Sequence, residues 1–315
     1  MTARRTLLAS LALAPLAVRA RAAPVLRMGD QRGNVQAMMQ AAGVLESLPY
    51  RLDWSEFAAA APLAEAMKAG AVDGGVIGDA PFIFAVASGA PIRAVAARRS
   101  SQEGLAVLVR AASPAQHFAD LRGKRVATGR GSIGHYLVLA ALRANAMTAD
   151  DVQLAFLQPA DAKAALAGGS VDAWSTWEPY TSQAEVLDGA RRVVTGEGLT
   201  PGLGFQAATV AAIEGKTDEL ADFVRRMAAA RAWANANLDR YAAVWAKLMG
   251  FPESVPQHWF HRTRERIVPP DAQVAADLQP VADTYAGAGL LRTGFDARAA
   301  MEPRFADAIR AGSGV

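Results

Sequence analysis

The sequence predicts an α/β fold. Short runs of β-forming residues alternate with helical patterns up to residue 195, and one phrase, a helix running into Gly, Val and Asp, occurs once in each half of that region. Such alternation is the pattern of parallel strands joined by crossover helices. In the first block Val25–Met28 reads as a strand, Asn34–Ser47 as a helix, Arg51–Trp54 as a strand and Leu63–Ala69 as a helix. Val72–Ile77 is a short strand, Pro81–Ser88 a helix capped by Asp79 with an early proline, and Ile92–Ala97 closes the block. The second block runs Leu105–Val109, Arg125–Thr128, a helix over Ile133–Asn145, Val152–Phe156, a helix over Ala160–Ala167, Val171–Ser175, a helix from Trp177, and Arg192–Thr195. The repeated phrase is Ala69-Gly70-Ala71-Val72-Asp73 in one block and Ala167-Gly168-Gly169-Ser170-Val171-Asp172 in the other. The residues after each strand, Gly78-Asp79-Ala80-Pro81 and Ser175-Thr176-Trp177-Glu178-Pro179, therefore fall at equivalent carboxyl ends, where open α/β sheets bind ligands. From Thr217 the chain is mainly helical, over Asp218–Asn237, Leu238–Met249 and Asp271–Ala288, and this tail is expected to pack back on a sheet.

Composition narrows the function. With 315 residues, 52% hydrophobic and 20% charged, the chain has apolar material for two cores and too few charges for disorder. It has 33 basic and 30 acidic residues, but Arg4, Arg5, Arg19 and Arg21 lie in a first segment without acids, which leaves 29 basic against 30 acidic residues. A near-neutral mature chain has no field to hold nucleic acid or an anionic bilayer. The absence of cysteine removes disulfides, thiolate metal sites and thiol nucleophiles.

That first segment has the order of a secretory signal: Arg4-Arg5, an apolar stretch from Leu7 to Val18, then Ala20-Arg21-Ala22. Residues 1–22 are expected to be removed, and Arg4-Arg5-Thr6-Leu7-Leu8 favours the twin-arginine route. The apolar stretch is too short to span a bilayer, which takes about 20 residues. A periplasmic location is expected.

Gly129-Arg130-Gly131-Ser132-Ile133-Gly134 satisfies G-x-G-x-x-G between a strand and a helix, but no acidic residue ends the next strand to hold a ribose, so a dinucleotide is not expected. What remains is a close backbone approach and a helix start offering N–H groups to an anion, or simply a tight turn. Neither H-E-x-x-H nor G-x-S-x-G occurs. No metal and no cofactor is expected. Asp79 and Glu178, each beside a proline at a helix start, read as caps before they read as an acid/base pair. Trp174, Trp177 and Tyr180 form either core or an apolar wall for a small organic group.

Five phrases in order resemble the periplasmic aliphatic sulfonate-binding subunits of ABC importers, within the nitrate, sulfonate and taurine group: Met28-Gly29-Asp30-Gln31-Arg32-Gly33-Asn34, Ile77 to Ala85, Leu121 to Ala127, Gly131-Ser132-Ile133-Gly134-His135-Tyr136 and Val171 to Tyr180. The resemblance implies a type II periplasmic binding protein, with two α/β lobes closing on a ligand. Lobe I would comprise residues 23–107 and 205–315, and lobe II residues 108–204, hinged near Ala106–Arg110 and Thr200–Phe205. Gly204-Phe205-Gln206 would return to the first lobe. Asp30 stands where the family usually has tyrosine, and Glu178 where it usually has aspartate.

A sulfonate is a permanent anion that accepts hydrogen bonds and needs only donors. On this reading the anionic head lies between the starts at Gly33-Asn34, Gly78-Asp79 and Gly131-Ser132, with Gln31, Ser132 and His135 as donors, and Trp177 and Phe82 along the tail. Arg32 and Arg130 serve either as compensating charges or as solvated side chains, and Glu178 completes the expected set. The implied partners are a small anionic organic ligand and a membrane permease, with the protein a monomer. Nitrate, taurine or a heterocyclic vitamin precursor are alternative ligands, taurine drawing support from Asp30 as a partner for its ammonium. An enzyme using His135 as base and Glu178 as acid is the alternative of another class.

Overall fold

The computed structural model describes residues 23–292 and 294–314, so the expected leader lies outside the described residues. From the amino end come β1 (Val25–Asp30), α1 (Val35–Ala41), β2 (Arg51–Glu56), α2 (Ala60–Lys68), β3 (Gly74–Gly78), α3 (Asp79–Ala87) and β4 (Ile92–Arg99). A second group follows: β5 (Ala106–Val109), β6 (Arg125–Thr128), α4 (Ile133–Ala144), β7 (Gln153–Phe156), α5 (Pro159–Ala167), β8 (Ala173–Thr176), α6 (Tyr180–Asp188) and β9 (Arg191–Thr195). The remainder is β10 (Leu203–Thr209), α7 (Val210–Gly215), α8 (Thr217–Ala236), α9 (Leu238–Met249), α10 (Ser254–Thr263), β11 (Arg266–Val268), α11 (Ala272–Gly287) and α12 (Ala306–Ser313).

These strands form two mixed sheets, ordered β11-β4-β10-β3-β1-β2 and β7-β6-β8-β5-β9. Each has a core on both faces, and the alternation along its strands decides which. Val76 faces one core and Ile77 the other, and in β5 Val107 and Val109 face away from Ala106 and Leu108. The repeated phrase builds the same joint twice. Gly70 and Gly169 adopt left-handed backbone at the helix ends. The aspartate that follows then receives a backbone N–H of the neighbouring strand, Asp73 from Arg27 at 2.7 Å and Asp172 from Arg125 at 2.9 Å.

Several expectations need correction. The first helix ends at Ala41 and not at Ser47, because Gly43 turns left-handed and the Val44 N–H returns to the Met39 carbonyl. The helix expected from Trp177 starts at Tyr180, after Glu178 and Pro179. The tail also contains α10, α12 and strand β11, outside the three helices expected there.

The chain passes from sheet to sheet at residues 100–105 and 196–202, so boundaries at 107/108 and 204/205 would cut through β5 and β10. The two passages bind each other, Ser100 N donating to Gly202 O at 3.0 Å and Gly196 N to Leu105 O at 2.8 Å. Gly202 is left-handed there, with the Ser100 carbonyl 2.5 Å from where a Cβ would stand.

Candidate functional site

In the first sheet β1, β3 and β4 run the same way, since β10 is antiparallel to both β3 and β4. Their carboxyl ends bring together Asp30, Gly78-Asp79 and Arg98. Both aspartates lie at helix starts. Asp30 Oδ2 accepts from Gln36 N at 2.7 Å, and Asp79 Oδ1 from Ala80 N at 2.7 Å. Asp30 Oδ1 and Asp79 Oδ2 are buried and have no hydrogen-bond partner. Burial pushes each carboxyl from 3.8 up to about 7, and the Arg98 guanidinium opposes the rise in both. Arg98 packs over Gly204, keeps 30% of its side chain exposed, and pairs with Glu265 at 3.3 Å.

Facing this, β6 ends in the glycine-rich turn and α4. Gly129 lies under Ser132 and the Trp177 ring, Gly131 takes φ +67, and at Gly134 a Cβ would stand 2.8 Å from both Ser175 O and Thr128 Oγ1. The three glycines thus serve a close turn and close helix–strand packing. Ser132 is the helix cap: its hydroxyl accepts from His135 N at 3.3 Å and donates to Gly129 O at 2.7 Å. The N–H groups of Ile133 and Gly134, first in the helix, have no intrahelical acceptor. Arg130 is exposed and lies 3.8 Å above the Phe156 ring. Buried His135 accepts from Gly131 N at 3.3 Å through Nδ1, and burial, aided by Arg130, lowers it to about 4. The ring is therefore neutral at physiological pH, with its proton on Nε2.

The two sheets' layers meet over α4. Phe84 of α3 packs on Gly131, Tyr136 is buried beside Tyr285, and the Tyr285 hydroxyl donates to Ser132 O at 2.6 Å. Such a seat, with backbone donors, a cation and aromatic walls, can hold and orient an anion. Among the described residues no group of three His, Cys, Asp or Glu residues is placed to hold a metal.

The expected site residues divide. Gly131, Ser132, His135, Arg130 and Trp177 come together at the start of α4. Gly78 and Asp79 stand at the start of α3, and Gly33 and half-buried Gln31 at the start of α1. Four side chains are engaged elsewhere. Phe82 is fully buried against Phe205 in the core, since the inward face of α3 needs it there. Arg32 donates to Leu248 O at the end of α9. The Ser132 hydroxyl gives its one proton to the Gly129 carbonyl and has none for a ligand.

Glu178 caps α6 through Ser182 N at 3.0 Å and pairs with Arg262; burial raises its carboxyl against that pairing. Asp30 is likewise spent on α1 and is not an open partner for an ammonium. Sequence reasoning missed Arg98, Phe84, Phe156 and Tyr285. Phe84 lay within a quoted phrase, two residues from Phe82, whereas nothing local marks the other three.

A family-wide sequence pattern described as NMT1/THI5 like matches residues 56–237. A putative aliphatic sulfonates-binding protein of Escherichia coli is 34% identical over 280 residues, 87% of this chain and 88% of that protein. The crystal structure of the periplasmic aliphatic sulphonate binding protein SsuA from Escherichia coli superposes with a TM-score of 0.83 at 33% identity, covering 89% of this chain and 92% of the other. The alkanesulfonate-binding protein SsuA from Xanthomonas axonopodis, bound to MOPS, gives 0.82 at 29% identity, over 90% and 99%.

Proposed function

The chain belongs to the aliphatic sulfonate-binding protein family, and on that premise we propose that it captures a small organosulfonate between its two lobes and delivers it to the membrane permease of an ABC importer. It works as a periplasmic monomer, released from its leader after export by the twin-arginine route. Lobe I comprises the first sheet with the tail, lobe II the second, and the lobes part when no ligand is bound.

The observation that carries this reading is the start of α4. It offers two N–H groups without intrahelical acceptors beside Arg130 and Trp177, with Arg98 the cation on the opposite lobe. A sulfonate needs no proton transfer, and the groups that could supply one are engaged: His135 Nδ1 accepts from Gly131 N and burial weakens it as a base, while Glu178 is held by Arg262. The protein is a carrier and not an enzyme. Because Asp30 and Asp79 are buried and raised to about 7, a plain alkanesulfonate suits the site better than taurine, whose ammonium needs an accessible carboxylate.

Calorimetry on refolded, ligand-free protein tests this. Alkanesulfonates should bind, taurine more weakly and nitrate weakest, and mass spectrometry after overnight incubation should recover each ligand unchanged. Absence of heat with every alkanesulfonate at millimolar concentration would remove the reading.

A further inference from the structure

Away from the seat, the two lobes meet a second time through charge. Arg262, at the end of α10, keeps only 7% of its side chain exposed. It donates through Nη1 to Glu185 Oε2 at 2.5 Å and through Nη2 to Ser182 Oγ at 2.9 Å and to Glu178 Oε1. Glu178, just ahead of α6, and Ser182 and Glu185 on it belong to the opposite lobe, at 7% side-chain exposure for Glu178 and 14% for Glu185. Arg192 of β9 supplies the second positive charge, 2.8 Å from Glu185 Oε1, and lies 4.0 Å from Glu103 on the first passage between sheets.

That passage runs through the joint. Ser101 N donates to Thr263 O at 2.9 Å. A Cβ on Gly104 would stand 2.7 Å from Glu178 Cγ and 2.8 Å from Thr263 Cγ2, so only glycine fits between the lobes here. Buried, paired charges are costly to break one partner at a time, because the charge left behind stays desolvated and unpaired; among the described residues of this cluster the Arg262 Nε–H alone has no acceptor. The seam at α4, by contrast, holds no buried ion pair among the described residues: Ile133, Tyr136 and Leu139 pack on the first lobe's core beside Phe84 and Tyr285, with hydrogen bonds only through the Tyr285 and Thr284 hydroxyls.

We infer that Arg262 is a positioning residue for ligand capture: its ion pairs with Glu178 and Glu185 form the fixed pivot about which the lobes open and close, and so set how long the closed form lasts. This rests on the capture reading above, but the pivot itself is independent of which ligand is captured.

Arg262→Lys keeps the charge and loses the fork that reaches two carboxylates and a hydroxyl at once; Arg262→Met leaves Glu178 without its cation and Glu185 with Arg192 alone, and is the harsher variant. Stopped-flow fluorescence with hexanesulfonate as probe should show release from Arg262→Lys accelerated about tenfold with association within about threefold. X-ray scattering from the ligand-free variant should show a larger radius of gyration than wild type. A merely structural arginine would lower the melting temperature and leave release and dimensions alone. Should either reading on the folded Lys variant match wild type, the pivot is wrong. If wild type binds no sulfonate, the capture reading fails and scattering alone decides the pivot.

Discussion

The two sides of the seat use the same local device, a strand ending in small residues and then a helix, with opposite electrical results. On lobe II the start of α4 is capped by a neutral serine and leaves N–H groups without intrahelical acceptors. On lobe I the starts of α1 and α3 carry their own carboxyls, Asp30 and Asp79, and Arg98 is the cation that opposes the rise in both. A helix start invites an anion only when the chain has not already supplied one. On the proposed reading the anionic head therefore belongs with α4, with lobe I to contribute charge through Arg98 and closure through Phe84 and Tyr285.

The harshest way to break this contrast is Gly134→Val, which forces atoms into the Ser175 carbonyl and the Thr128 hydroxyl. It should destabilise the protein by about 3 kcal/mol or more, read as a lowered urea midpoint, and an unchanged midpoint would mean the helix is not pinned there.

Arg98→Met should weaken alkanesulfonate binding by about 100-fold, near 2.7 kcal/mol. Exposed Arg130→Met should cost only about threefold, because an exposed charge is screened by solvent. The reverse order in titration calorimetry would assign the compensating charge to lobe II.

Asp79→Asn sharpens the electrical difference. The folded carboxyl titrates near 7 and the ordinary one at 3.8, so its share of stability is full below pH 3.8 and is lost as pH rises towards 7. The asparagine variant should gain on the order of 2 kcal/mol over wild type at pH 8 and nothing at pH 3.5. His135 has the opposite sign: lowered from 6.5 to about 4, it withdraws stability as pH falls through that window. His135→Gln should flatten the acid side of the thermal profile; a profile still sloping there equally would exclude a buried neutral ring.

The smallest effect expected is that of Ser132→Ala, about 1 kcal/mol for a lost cap, with ligand affinity preserved because the hydroxyl points to Gly129. A large loss of affinity would restore Ser132 as a ligand donor.

Much of the fold was legible because its signals are local. Gly70 and Gly169 must turn left-handed after their helices, and Asp73 and Asp172 close the same joint, so the repeated phrase announced two matched units. The seat was legible in part for the same reason: Gly131, Ser132 and His135 are within one turn of each other and carry their geometry with them. The side chains read wrongly were judged by type and place in a phrase alone. Phe82 and Phe84 are two residue steps apart, about 200° around a helix, and only packing reveals that Phe82 faces Phe205 and Phe84 faces Gly131.

By itself, then, the sequence determined what one turn of chain can determine: the α/β alternation, the matched strand joints, the glycine turn before α4 and the family phrases. The tertiary structure alone decided partnerships across distance. Arg262 reaches Glu178 over 84 residues and Tyr285 reaches Ser132 over 153. Whether Asp30, Asp79 or Arg98 faces a ligand depends on which charges the fold buries beside it, because the energy of a charge is set by its neighbours in space and not by its neighbours in the chain.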